Sequence, residues 1–149
     1  NLFDESISSF CVMLRGASSI TSDDIKLTER LSVPSSRLRG FESGKIGPKD
    51  GADFIGGNYL AAINLQTTIP FIFENSQNLD TIIFFDAANV WGVDYDSSID
   101  DSNEIRSSIG IGIDWLTAVG PLNFSLTEVI TKNSTDVEET FRFNLGTTF

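Results

Sequence analysis

The sequence lacks histidine, has a single cysteine and is poor in basic residues. Its 149 residues include 10 Lys and Arg against 21 Asp and Glu, so the formal net charge is −11. With Cys11 alone, a disulfide within the chain and a zinc site of cysteine and histidine are both excluded. The commonest general base of enzymes is missing, and there is no surplus of cations to neutralise phosphates. We expect no cofactor, no metal site, no enzymatic activity and no nucleic-acid partner.

One long uncharged stretch, residues 54–73, has the length of a membrane-spanning helix but not its composition. It contains glycine, asparagine and proline, which suit a lipid-exposed helix poorly. Its larger side chains instead alternate with smaller or polar ones, so that one side carries Tyr59, Ala61, Ile63, Leu65, Thr67 and Ile69. A period of two residues predicts a β-strand.

The same period recurs along the chain and predicts six strands. Most of them have about the length that a tilted strand needs to cross the hydrocarbon of a bilayer. Long connections at 21–57 and 92–104 alternate with short turns. The predicted strands are residues 10–15, 58–71, 81–91, 105–117, 121–130 and 141–149.

The two faces of these strands differ in polarity. On one face the large side chains are nearly all apolar. The other face carries polar and charged side chains: Arg15, Gln66, Asp86, Arg106, Asp114 and Arg142. This pattern, with long loops at one rim and short turns at the other, is typical of an outer-membrane β-barrel. A soluble β-sandwich that acts as a binding module is the alternative of a different class, since it also has alternating strands.

Six strands are too few for a closed membrane barrel, because about eight is the smallest number and open edges are not tolerated in lipid. The last predicted strand reaches an aromatic final residue, Phe149. We therefore expect residues 1–149 to be the C-terminal portion of a longer barrel domain.

Four segments carry a more specific signal. Residues 35–41 read SSRLRGF, and residues 84–91 read FFDAANVW. Residues 120–125 read GPLNFS, and residues 141–149 read FRFNLGTTF. These segments resemble four motifs of BamA-type outer-membrane protein assembly factors, in the bacterial surface antigen superfamily. In chain order, the motifs are the arginine-glycine loop motif, a barrel strand, a turn with its strand, and the closing strand. Residues 1–30 match only as a generic strand and loop.

The resemblance implies a barrel of about sixteen antiparallel strands, preceded by periplasmic POTRA domains, of which this chain holds the last six strands. It also implies that the loop at about 21–57 folds back into the lumen. The loop motif would be Leu38, Arg39, Gly40 and Phe41, and Arg39 would contact Asp86. Gln66 stands where the family commonly has a glutamate, so it can accept a hydrogen bond from Arg39 but adds no charge. Ala88 replaces the usual glycine of the strand motif.

By the same resemblance, the protein lies in the bacterial outer membrane and folds and inserts other β-barrels without covalent chemistry. The closing strand, with Phe141, Phe143, Leu145, Gly146 and Phe149, would pair weakly with the first barrel strand and template client strands. Implied partners are unfolded β-barrel clients, the lipid bilayer, accessory lipoproteins and periplasmic chaperones. A translocation-assembly or two-partner secretion transporter of the same superfamily is the alternative function, because it shares the arginine motif.

Overall fold

The computed structural model describes residues 6–19, 24–69, 78–118 and 120–146. Its main element is one antiparallel sheet of six strands: β1 (Ile7–Gly16), β4 (Tyr59–Ile69), β5 (Leu79–Trp91), β6 (Arg106–Thr117), β7 (Gly120–Thr131) and β8 (Phe141–Leu145). The long connection from β1 to β4 contains a 3-10 turn at Leu27–Glu29 and a small hairpin of β2 (Lys49–Asp50) and β3 (Asp53–Phe54). None of the described helical segments is long and apolar enough to span a bilayer.

All six predicted strands are present, in the sequential order expected of an up-and-down sheet. The parts of the prediction at residues 70–71 and 147–149, including Phe149, lie outside the described residues. In the described chain the long strands join a single sheet, so the two-sheet sandwich is wrong. The hairpin β2–β3 was not predicted, although its two-residue turn begins with Gly51 at a positive φ of +60°, where hairpin turns favour glycine.

The register places most large apolar residues of the strands on one face, which we call the outer face, whereas Leu60, Phe84 and Val90 lie on the other. Phe10 lies opposite Leu65, Leu65 opposite Phe85, and Phe85 opposite Ile109. Many of these side chains are exposed, including Phe10, Val12, Leu14, Ile63, Leu65, Ile83, Ile109, Ile111, Trp115, Leu126, Phe141, Phe143 and Leu145. A broad exposed apolar surface of this kind is suited to lipid rather than to water.

The inner face is covered by the long connection between β1 and β4. Its residues Val33, Leu38, Phe41 and Ile46 form a buried apolar cluster with Leu60 and Ala62 of β4 and Ala88 and Val90 of β5. Farther along the same face the buried side chains are polar, and Asp86 and Arg106 are fully buried. The connection is therefore packed on the sheet, and its position is set by both apolar and polar contacts.

The strand pairs differ in length. β6 and β7 pair over eleven residues, with a bulge between Ser107 and Ser108. Within the described residues, β8 pairs with β7 over five residues, from Leu122–Leu145 to Leu126–Phe141. Because β8 is the last strand of the sheet, its second edge is not covered by another described strand.

Candidate functional site

The side chain of Arg39 is bound on the inner face by Asp86 of β5. Arg39 Nε donates to Asp86 Oδ2 at 2.7 Å and Nη2 donates to Oδ1 at 2.9 Å. The backbone N–H of Arg39 also donates to Oδ2, at 3.1 Å. This two-pronged geometry is the strongest form of a guanidinium–carboxylate contact.

The third nitrogen of the guanidinium and its flat face also have partners. Arg39 Nη1 donates to Gln66 Oε1 at 3.1 Å. The guanidinium carbon lies 3.5 Å from the centre of the Phe84 ring, so the cation stacks on an aromatic face. The structure thus brings together Arg39, Asp86 and Gln66, the three polar residues that sequence reasoning placed at this site, and adds Phe84.

Asn64 of β4 is a member of the site that the sequence analysis missed. It lies directly opposite Asp86 in the register, and its Nδ2 donates to Asp86 Oδ1 and to the Arg37 carbonyl, both at 2.8 Å. Since both partners are acceptors, the amide must present its nitrogen to them. Aligning the alternating faces of β4 and β5 would have placed Asn64 beside Asp86.

The main chain of residues 35–41, which we call the motif segment, is bound at alternate carbonyls. Arg39 O accepts a hydrogen bond from Ser108 Oγ of β6 at 2.6 Å. Arg142 of β8 donates to Ser35 O and Phe41 O at 2.8 and 2.6 Å. Together with the Asn64 contact, side chains from three strands hold the carbonyls of 35, 37, 39 and 41. The sheet therefore fixes the path of the segment as well as its arginine.

The remaining residues of the loop motif explain why this segment fits closely. Gly40 has a φ of +90°, and a Cβ built there would lie 2.6 Å from Thr127 Cγ2. Only glycine satisfies both the backbone conformation and the space. Leu38 and Phe41, on either side, are buried in the apolar cluster of the inner face.

Gly110 of β6 makes room for the aromatic ring under Arg39. Gly110 lies opposite Phe84 in the register. A Cβ on Gly110 would be 2.4 Å from Phe84 Cζ and 2.4 Å from the Leu126 carbonyl oxygen. The ring can lie on the strand because that side chain is absent, and a glycine within a strand is often the place where another group approaches closely.

The predicted residues of the closing strand lie apart from this cluster. Phe141, Phe143 and Leu145 point to the outer face and are at least half exposed. The rings of Phe143 and Phe124 of β7 are 5.1 Å apart. Gly146 has a φ of +111°, so the chain leaves the strand direction there. Arg142 of the closing strand donates hydrogen bonds to the motif segment, a contact that sequence reasoning did not foresee.

A second buried arginine ties two further loops together. Arg106, at the start of β6, donates through Nε to Asp136 Oδ2 at 2.9 Å, and neither side chain is exposed. Its Nη1 donates to the Ser102 and Glu104 carbonyls and to Asn89. The loops that follow β5 and β7 are joined by this network.

The long connection is also anchored to the loop after β5 through Arg30 and Asp94, which form an ion pair. Partial burial raises the pKa of Asp94, but hydrogen bonds from the Ile25 N–H, Arg30 and Asn58 outweigh it and hold the pKa below its usual value. Among the described residues, no cluster of three or more His, Cys, Asp or Glu side chains is placed to hold a metal ion.

Comparison with known proteins agrees with this architecture. The Omp85 superfamily domain matches residues 4–149. The chain is 30% identical over 139 residues to the outer membrane protein assembly factor BamA of Neisseria meningitidis serogroup B, covering 75% of this chain and 17% of that protein. It is 27% identical over 115 residues to the protein of the same name from Neorickettsia risticii, covering 75% of this chain and 16% of that protein.

The fold is similar to the crystal structure of BamA from Haemophilus ducreyi lacking POTRA domains 1-3. The TM-score is 0.75 at 26% identity, and the similarity covers 93% of this chain and 34% of that one. The chain spans about a sixth of the length of the curated relatives. The resemblance given by the four sequence motifs is confirmed. The chain belongs to the Omp85 superfamily, and its six-stranded sheet is part of a β-barrel of the bacterial outer membrane.

Proposed function

We propose that this chain is the C-terminal part of the barrel of an outer-membrane protein assembly factor. In this role it folds and inserts other β-barrels into the outer membrane without covalent chemistry. The relatives named above are assembly factors, and residues 4–149 match the superfamily domain.

The observation that carries the proposal is that one edge of the closing strand is not covered by any other described strand. On its other edge β8 pairs with β7, over five residue pairs within the described residues. A strand edge presents unpaired N–H and C=O groups, on which another strand can add by β-augmentation. In the complete barrel, we propose, β8 pairs weakly with the first strand, opens, and templates a client strand. Phe141, Phe143, Leu145, Gly146 and Phe149 belong to this seam.

The loop at about 21–57 folds into the lumen in this proposal and keeps the barrel competent. Arg39 holds it through Asp86 and Gln66, while Leu38, Gly40 and Phe41 fit it to the wall. A buried carboxylate without a partner costs several kcal/mol, roughly 3–5 when a buried pair is broken. Removal of one partner is therefore costly enough to decide whether the loop stays seated.

The partners follow from the same assignment. The exposed apolar outer face fits the lipid bilayer, and the edge of β8 that no other described strand covers fits an unfolded β-barrel client. Accessory lipoproteins and periplasmic chaperones complete the set that the family resemblance implies.

Disulfide crosslinking to a client tests the templating role. The full-length protein, with Cys11→Ser, would carry one new cysteine at Asn144 in β8 or at Asp114 in β6. Each is reconstituted in lipid vesicles and given a urea-unfolded eight-stranded barrel protein with one cysteine in its last strand. We expect crosslinks at position 144 during assembly and a much lower yield at position 114.

The two positions are matched, because both side chains lie on the inner face, one strand apart across β7. β6 has a neighbour on each side, so a client strand cannot add to it. Equal yields at the two positions, or efficient client assembly with no crosslink at position 144, would overturn the templating role.

A further inference from the structure

The motif segment and the connection that leads into β8 are joined through their main chains. Phe41 forms an isolated antiparallel bridge with Glu138. Glu139 N donates to Gly40 O at 2.9 Å, and Glu42 N donates to Val137 O at 2.9 Å. The residues just before the closing strand therefore pair with the residues just after Arg39.

Arg142, inside the closing strand, reinforces this junction. Its Nη1 and Nη2 donate to Ser35 O and Phe41 O, the carbonyls at the two ends of the motif segment. Its Nε donates to Glu139 Oε2 at 2.6 Å, and Nη2 lies 2.5 Å from the same oxygen. Every nitrogen of the guanidinium is thus engaged, and the side chain is 12% exposed.

The geometry requires an arginine. The two loop carbonyls belong to residues six positions apart, and a planar fork reaches both while its third nitrogen holds a carboxylate. A lysine has one charged nitrogen at the end of its chain and cannot span these acceptors in the same way. Bonds from a charged donor are stronger than neutral ones.

We propose that Arg142 is a positioning residue that couples the closing strand to the motif segment. This inference rests on the proposed function in one respect, namely that β8 is the strand that moves during assembly. When β8 moves to open the seam with the first strand, it must break the Arg142 contacts or carry the segment with it. Seating of the loop and closure of the seam therefore favour each other, and a coupling of this kind is reciprocal.

Distances between spin labels test the coupling directly. The full-length protein with Cys11→Ser is labelled at Ser43, an exposed residue that follows the Phe41–Glu138 bridge. The second label is placed at Leu145 on β8 or at Ile83 on β5. Distances are measured in lipid without any client, so the result does not depend on assembly activity. We expect Arg142→Gln to broaden the 43–145 distribution roughly twofold while the 43–83 distribution stays narrow.

Two further variants make the result specific. Arg142→Lys keeps the charge but loses the fork, and we expect it to broaden the 43–145 distribution less than Arg142→Gln does. Lys132→Gln removes a cation from the same connection, where Lys132 pairs with Glu138, and both distributions should keep their width.

The proposal is overturned if Arg142→Gln leaves the 43–145 distribution narrow, because the strand is then positioned without this residue. It is also overturned if both distributions broaden equally, since Arg142 would then support the loop in general. A client that fails to crosslink at position 144 contradicts the templating role but leaves these distances unaffected, so the two failures are distinguishable.

Discussion

At the residue scale, hydrogen bonds stabilise the buried charge of Asp86 on the inner face of the sheet. The carboxylate is fully buried and accepts four hydrogen bonds: three from Arg39 and one from Asn64. Two carboxylate oxygens offer about four acceptor positions, so the group is fully satisfied. Removing any donor leaves a buried charge partly unpaired, which is why this contact is a sensitive point of the molecule.

Gly110 gives a sharp test at this scale. In Gly110→Ala the new Cβ collides with the Phe84 ring and the Leu126 carbonyl, so the ring must move and the stacking on Arg39 is lost. We expect the free energy of unfolding of the full-length protein to fall by about 1–3 kcal/mol and client assembly to slow. Denaturant titration in lipid measures the first effect.

Gly112→Ala is the matched control, since Gly112 lies two residues along the same face of β6. A Cβ there would be no closer than 3.3 Å to its neighbours, so a small effect is expected. If the two alanine variants lose equal stability, the Phe84–Gly110 contact has no special role.

At the element scale, the alternation of each strand separates two environments. The residues on either side of the buried charge of Asp86 are apolar and face outward. These residues are Phe85 and Ala87. The sequence was sufficient to predict this, because the period of two is a local property. The contacts of Asn64, Ser108 and Arg142 were missed, since they depend on the register between strands and on the path of a long loop.

A charge on the outer face tests its membrane orientation. Ile111 lies in the middle of β6 and is 53% exposed. In Ile111→Arg we expect a loss of about 2–4 kcal/mol in the free energy of unfolding in lipid, the cost of a cation near the bilayer midplane.

Ile105→Arg is the control, because Ile105 is exposed but precedes the strand. Near the interface the same change costs about 0–1 kcal/mol. Equal losses at the two positions would contradict the assignment of the outer face to lipid.

At the scale of the whole molecule, three loops converge over one part of the sheet. Arg30 with Asp94 and Arg106 with Asp136 join the loops to one another, and the Phe41–Glu138 bridge joins the motif segment to the approach to β8. The arginine motif predicted one contact of this assembly, Arg39 to Asp86. The contacts of Arg106 and Arg142 could not be predicted from charge alone. In the sequence both are ordinary inner-face residues, and their partners lie on loops whose path the sequence does not show.

We propose that the Arg39–Asp86 pair keeps the loop seated and the barrel competent, and a double-mutant cycle tests this role most directly. Insertion of a urea-unfolded eight-stranded barrel into vesicles is timed for full-length Arg39→Ala, Asp86→Ala, the double variant, and Lys26→Gln, which removes an exposed cation of the same loop. We predict that each single variant slows assembly about tenfold or more. The double variant should be no slower than the slower single one, because both remove one shared contact, and Lys26→Gln should match the wild type. Native rates in both single variants, or losses that add in the double variant, would contradict the account.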